Sequence, residues 1–458
     1  MPARRRLLAA ALTAATCLGA QVLSYTTATA ATPATTATPA TASDASSTEP
    51  VVSGGVEIPA FYTPPTTLPA ADGAVVRSEP LPLAISLPTL DGPLPGRATR
   101  LMYKSTDSNG APVAVTGAYI EPTAAWKGGG ARPLVAVAPG TMGQGDQCAA
   151  SMGLEHPLLL NGRTVSVGYE DVAIYRLLAT GAAVVVTDYA GLGATDRLHT
   201  YVNRLDEAHA VLDAVRAARS LPGTSVTSES RVGLFGYSQG GGATAAAAEL
   251  QPSYAPDITL AGTYSGAPPA DLTAVTKAID GSELAGALGW SLNGFLQSDP
   301  TLRPLAEAHL NAAGKAAMTD LSTMCVGDAL LHYGYAKSTK WTTDGASLSD
   351  IIASTPALQT FLDSQRIGTL TPSGPVRVAT GTSDNLVPHK QARRLAKNWC
   401  AKGANITYVP VILPNVISPL LNHFTPLLAD QGSAVNWLTD RLSGKPATSN
   451  CGVLPILP

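Results

Sequence analysis

Charged and aromatic side chains are both scarce in this chain of 458 residues. Only 14% are charged and 5% aromatic, and 33 acidic residues against 30 Lys and Arg leave a formal charge of −3. No Lys/Arg-rich stripe follows the first few residues, which argues against a nucleic-acid partner. Cysteine is rare, at five, and no C-x-x-C pair occurs, so a zinc site is not expected. No other pattern asks for a metal or a cofactor. The one amino-terminal apolar run, Leu7 to Leu23, is short and broken by threonines, which excludes stable membrane insertion.

What the chain does contain is 45% hydrophobic residues, enough to fill a globular core. Its first residues carry an export signature. Arg4-Arg5-Arg6 supply the positive segment, Leu7 to Leu23 the apolar one and Ala28-Thr29-Ala30 a small-residue cleavage site, so residues 1–30 read as a signal peptide of a secreted protein. Residues 31–55 are mostly Ala, Thr, Pro and Ser. They cannot bury enough apolar surface to offset chain entropy and read as a disordered linker. Loss of Cys17 with the signal leaves Cys148, Cys325, Cys400 and Cys451. An even count in an exported protein suggests two disulfides, with three connectivities open. Cys400 and Cys451 bracket the last stretch and could staple the tail, which would leave Cys148 for Cys325.

From Val56 onward the pattern is orderly. Arg97–Ser105 and Pro112–Ile120 flank the turn residues Asp107-Ser108-Asn109-Gly110, as in a β-hairpin. Continuous apolar runs then recur at 133–138, 182–187, 231–235, 258–263, 376–380 and 406–412, with helical periodicity between them. This alternation predicts an α/β fold whose mostly parallel sheet is covered by helices on both faces. Between 268 and 371 the patterns are helical only, over 283–296, 302–318 and 348–365. We read this stretch as an inserted cap or lid between two core portions, 56–267 and 372–458. Leu284, Leu288, Trp290, Leu292, Phe295 and Leu296 are more apolar than a surface helix needs, and form either the core of that cap or the wall of an acyl tunnel.

The chemistry centres on Gly236-Tyr237-Ser238-Gln239-Gly240, between the buried run Arg231–Phe235 and the alanine-rich stretch from Gly241 to Leu250. Strand, sharp turn with one serine, then helix is the layout of a nucleophile elbow, in which the residues two before and two after the serine must be nearly without side chains. A serine hydroxyl needs a base to take its proton and an acid to orient that base, in the order Ser, acid, His along such a chain. Asp384 lies in the loop after the run 376–380. His423 follows the last strand, on a loop before a closing helix that contains Trp437 and Leu438. His389 is only five residues from Asp384 and is read as surface or pocket rim; the remaining histidines are read as structural. The oxyanion hole should take one N–H from Gln239 and another from Thr141 or Met142, in the loop after Ala138.

These residues together resemble the secretory lipase family, typified by fungal lipase A enzymes with their own cap. The likeness runs from about Phe61 to Cys451. It is carried by Gly236 to Gly240, Asp384 to Pro388, the run from Cys400 to Asn405, Asn422-His423-Phe424, Cys451-Gly452, Asp188 to Gly191 and Cys148. It implies an α/β-hydrolase fold, a helical lid, carboxylester hydrolysis without cofactor, Ser238, Asp384 and His423 as triad, and disulfides Cys148–Cys325 and Cys400–Cys451. Gln239 stands where the fungal relatives have a smaller residue, and Leu413 to Leu421 is longer than the family pattern. The expected activity is triacylglycerol lipase-type hydrolysis of lipid or other acyl esters, at an oil–water interface. A short-chain or polyester esterase is the alternative, and a serine peptidase or inactive binding module follows behind.

Overall fold

Runs of Val and Ala with no charge to solvate build the centre of the molecule. The computed structural model describes residues 50–458 except Asp91 and Leu457. The expected signal peptide and most of the expected linker lie outside the described residues. Short strands β1 (Val52–Ser53) and β2 (Val56–Glu57) pair antiparallel. Strands β3 (Val75–Leu81), β4 (Gly96–Thr106) and β5 (Pro112–Pro122) follow. β4 and β5 form the expected hairpin, and the Asp107 carboxylate accepts the N–H groups of Asn109 and Ala111 in its turn.

The chain then alternates between β6 (Leu134–Ala138), α1 (Ala150–Glu155), β7 (Leu158–Asn161), β8 (Thr164–Val167), α2 (Asp171–Ala179), β9 (Ala183–Ala190), α3 (Arg204–Ser220), β10 (Val232–Tyr237), α4 (Gln239–Tyr254) and β11 (Leu260–Gly266). Seven helices come next: α5 (Leu272–Ile279), α6 (Ala287–Ser298), α7 (Arg303–His309), α8 (Ala312–Leu321), α9 (Val326–His332), α10 (Leu348–Ser354) and α11 (Pro356–Ser364). The chain closes with β12 (Val376–Gly381), α12 (His389–Ala401), β13 (Ile406–Val411) and α13 (Pro419–Leu442).

Nine strands form one sheet in the order β13-β12-β11-β10-β6-β9-β5-β4-β3. The six from β13 to β9 are mutually parallel, and β5, β4 and β3 continue the sheet antiparallel. Helices cover both faces. The alanines of α3 and α4 pack with Trp399 of α12 against one face, and Ile174 and Leu177 of α2 with Leu438 of α13 against the other. Alanine and glycine in α4 permit close approach. A Cβ at Gly240 would lie 2.0 Å from the Ala138 carbonyl oxygen, and one at Gly241 2.0 Å from that of Gly266. The helix start therefore sits directly on the carboxyl ends of β6 and β11.

The seven helices between β11 and β12 have their own apolar centre around Leu288, Trp290, Leu321 and Trp341, which Tyr201 and Leu386 join from the core. Two of the expected helical stretches are broken in two. Asn311 stops one and caps the next by accepting the Gly314 N–H, and Pro356 begins α11 at its first position. Edge strand β3 and the β7–β8 hairpin add to the expected elements. His423 does not precede the closing helix: it lies within α13, which Ser418 caps and Pro419 begins. The disulfides are Cys148–Cys325 and Cys400–Cys451, as expected from the resemblance.

Candidate active site

Strand β10 delivers Ser238 at the centre of the sheet, and the turn that follows is strained. Ser238 has φ 58° and ψ −123°, a conformation that side-chain-bearing residues seldom adopt. A Cβ at Gly236 would sit 2.2 Å from the Gly240 carbonyl oxygen, so both glycines are sterically required. The Ser238 N–H donates to the Gly266 carbonyl at 2.9 Å, which ties the turn to β11.

Three expected side chains meet here. His423 Nε2 lies 2.9 Å from Ser238 Oγ, and its Nδ1 lies 2.7 Å from Asp384 Oδ2. An acceptor-only carboxylate fixes the tautomer: Nδ1–H donates to Asp384, leaving the Nε2 lone pair to accept from the serine hydroxyl. The other Asp384 oxygen accepts the Leu386 and Val387 N–H groups, which orients the carboxylate. Tyr237 donates its hydroxyl to the His423 carbonyl at 2.7 Å and holds the histidine's backbone. His423 and Asp384 are 2% and 5% exposed, so the hydrogen bond between them is shielded from solvent.

The loop after β6 is equally constrained. Tyr189 donates to the Pro139 carbonyl at 2.7 Å, the Gly140 N–H to Glu170 Oε1 at 2.6 Å, and Tyr169 to the Thr141 carbonyl at 2.9 Å. The N–H groups of Thr141 and Met142 have no acceptor among the described residues. Of the two, Thr141 contacts a residue that lines the pocket at Ser238. Its hydroxyl lies 2.7 Å from that of Tyr201, whereas the Met142 side chain packs with Cys148 and Cys325. Burial pushes the Glu170 carboxyl up to about 7, against the Gly140 hydrogen bond that favours its charged form.

Behind the elbow, the Gln239 side chain is buried and spends both amide hydrogens, on Glu207 Oε1 at 2.8 Å and His199 Nε2 at 3.0 Å. His199 Nδ1 meets the Ala190 carbonyl at 3.0 Å, which makes Nδ1 the donor and Nε2 the acceptor. Burial lowers His199 to about 4 and raises Glu207 to about 8. Sequence reasoning missed this layer. One signal was present: Glu207 sits four residues before Val211 on the apolar stripe of α3, a place for a carboxylate only if it is paired. Glu170 gave no such signal, since a carboxylate ahead of a helix reads as an ordinary amino-terminal acid.

Ser238 opens into a pocket lined by Tyr201, Leu272, Val275, Leu284, Phe295 and Leu386. A second, apolar pocket among the helices between β11 and β12 shares Thr276, Ser291 and Phe295 with it and continues along Leu292, Leu296, Ile351 and Phe361. Of the six apolar residues singled out above, Leu284 and Phe295 line the first pocket, and Leu288, Leu292, Phe295 and Leu296 the second. Trp290 is core, its indole N–H on the Leu321 carbonyl. His389 is half-buried, 3.1 Å from the Tyr408 hydroxyl through Nε2.

The secretory lipase family model matches residues 154–450. The chain belongs to the secretory lipase family. It is similar to a protein of Mycobacterium tuberculosis named a probable inactive lipase, 29% identical over 391 residues that cover 85% of this chain and 83% of that one. Lipase 10 of Candida albicans is 26% identical over 405 residues, covering 86% and 82%. A secreted triacylglycerol lipase of Malassezia globosa is 26% identical over 248 residues, covering 54% and 53%. Among solved structures, Candida antarctica lipase A in its closed state superposes with a TM-score of 0.71 at 21% identity, over 88% of this chain and 89% of that one. A rice cell wall degrading esterase of Xanthomonas oryzae gives 0.66 at 20%, over 82% and 100%. The fold is thus that of the lipase A-like α/β-hydrolases, and membership makes the protein a lipase-type ester hydrolase.

Proposed function

We propose that this protein is a secreted carboxylester hydrolase of triacylglycerol lipase type, working by acyl transfer through Ser238, His423 and Asp384. The observation that carries the reading is the unbroken contact from Asp384 Oδ2 through the imidazole to Ser238 Oγ, at 2.7 and 2.9 Å. His423 Nε2 takes the hydroxyl proton as Ser238 Oγ bonds to the ester carbonyl carbon. The carbonyl oxygen becomes an oxyanion, held by the N–H groups of Gln239 and Thr141. On collapse the bond to the alcohol oxygen breaks, and His423 returns its proton to that leaving group. Water, deprotonated by the same histidine, then releases the acid and restores Ser238. Asp384 stabilises the imidazolium in both halves.

An apolar pocket at the nucleophile, continued by a second one among the inserted helices, suits an acyl chain better than a peptide, and supports those helices as the cap of residues 268–371. The signal-like amino terminus, the two disulfides and the secreted Malassezia relative support action outside the cell, on lipid esters at an oil–water interface. A relative named as inactive makes turnover the decisive measurement. Ser238→Ala should lower kcat on p-nitrophenyl butyrate and emulsified tributyrin by several orders of magnitude, with the melting temperature unchanged. Near-normal turnover in that variant, or failure of the wild type to react with a fluorophosphonate at Ser238, sinks the reading.

A further inference from the structure

The loop between β6 and α1 contains a clamp whose function is not explained by packing. In a trans peptide the carbonyl of one residue and the N–H of the next point in opposite directions, so a hydrogen bond on each fixes the plane completely. The Pro139–Gly140 plane is held in this way, by the Tyr189 hydroxyl on one side and Glu170 on the other. The Thr141–Met142 plane is held at its carbonyl by the Tyr169 hydroxyl. Between these two lies the plane that carries the Thr141 N–H. Fixing its neighbours leaves it little freedom to turn.

The clamp is assembled at a cost that packing alone does not call for. Tyr189 adopts φ 67°, a strained value for a bulky residue, and in that conformation its hydroxyl reaches Pro139. Glu170 is buried, with no cation paired to it among the described residues. A Cβ at Gly140 would meet the Tyr169 hydroxyl at 2.6 Å and Glu170 Oε1 at 3.2 Å, so the glycine is needed for both groups to close on the loop. A buried polar carboxyl group with a backbone N–H as its partner is an expensive way to hold a turn that apolar contacts could hold.

We propose that Glu170 is a positioning residue for ester hydrolysis, which, with Tyr169 and Tyr189, orients the Thr141 N–H toward the developing oxyanion. The inference rests on the reading of Ser238 as nucleophile. Because the oxyanion exists only after attack, such preorganisation acts on the transition state and not on the bound ester, and its loss falls on kcat.

The test uses the full chain with p-nitrophenyl butyrate as soluble substrate. Glu170→Gln keeps an oxygen that can accept the Gly140 N–H and should hold kcat within about 3-fold of wild type. Glu170→Leu fills the space without an acceptor and should lower kcat roughly 10- to 100-fold, within the range lost with one oxyanion-hole donor or below it, at little changed KM. If the leucine variant does not fold, Tyr169→Phe carries the same test through one hydroxyl, with a loss of about 5- to 10-fold in kcat expected. Fluorophosphonate labelling of Ser238 should persist in every folded variant, at a reduced rate in those that lose the clamp. A folded Glu170→Leu with wild-type kcat, equal losses for Gln and Leu, or a loss confined to KM would overturn the proposal. A wild type that neither turns over ester nor labels would overturn the reading beneath it.

Discussion

At the residue scale, the site concentrates its constraints on small groups of atoms whose replacement has separable effects. Asp384 accepts one N–H from His423 and two from its own loop. Asp384→Asn keeps an oxygen for the loop but can present an N–H to the histidine, which favours the wrong tautomer. We expect kcat to fall by roughly 10³- to 10⁴-fold with KM and melting temperature nearly unchanged, checked by steady-state kinetics and calorimetry. Gly240 is the opposite case. Its added Cβ would meet the backbone of Ala138 at 2.0 Å, and backbone cannot swing aside. Gly240→Ala should destabilise the protein by about 3 kcal/mol or more, read from urea denaturation. Loss of activity there should follow loss of fold, whereas in Asp384→Asn the fold remains.

At the element scale, the two disulfides do different work. Cys148–Cys325 closes 177 residues and joins the loop after β6 to the start of α9, beside the bonds from Val326 N–H to the Met142 carbonyl and from Gln144 N–H to that of Met324. Cys400–Cys451 closes 51 residues and pins the tail to α12. Chain entropy alone makes the longer closure worth about 1 kcal/mol more. Replacing Cys148 and Cys325 together by Ala should cost more stability than replacing Cys400 and Cys451, and only the first pair should also lower kcat, because it frees the loop that carries Thr141. Paired melting and kinetic measurements on the two double variants decide this.

The same scale explains what could be read from the chain. Strand β10, the glycines of the elbow and α4 were legible because their requirements are local: apolar run, strained turn, small-residue helix. The order of Ser238, Asp384 and His423 followed from topology. The start of α13 was not legible, because Pro419 and Pro426 read as loop punctuation. Pro419 in fact occupies the first helical turn, where its missing N–H costs nothing, and Pro426 packs where a Cβ on Gly381 would lie 2.4 Å from its ring. That contact brings the end of β12 against the histidine's helix, a pairing no local window contains. The Glu170 and Glu207 layer was hidden for a related reason, since each acid is defined by partners about thirty residues away in sequence.

At the scale of the whole molecule, the buried acids make stability depend on pH in a direction opposite to ordinary acid denaturation. Burial raises Glu207 from 4.5 to about 8, Glu170 from 4.5 to about 7, and Asp171 and Asp146 from 3.8 to about 7. Across that interval the folded state binds more protons than the unfolded chain. Stability is therefore greatest below the unfolded values and is lost as pH rises through the folded ones, by up to about 1.4 kcal/mol per pH unit for each acid. His199 has the reverse sign. Burial lowers it from 6.5 to about 4, so its contribution is complete above 6.5 and lost only as pH falls toward 4. Below pH 6.5 the two trends oppose each other, and above it the acids act alone. The melting temperature at constant ionic strength should accordingly fall between pH 6.5 and 8.5. Glu207→Gln should flatten the upper part of that fall, since its amide oxygen can still accept from Gln239 and Val202 while the titrating proton is gone. A melting temperature that rises over the same interval would mean that these carboxyls are ionised in the folded protein, and that water reaches the layer behind the elbow.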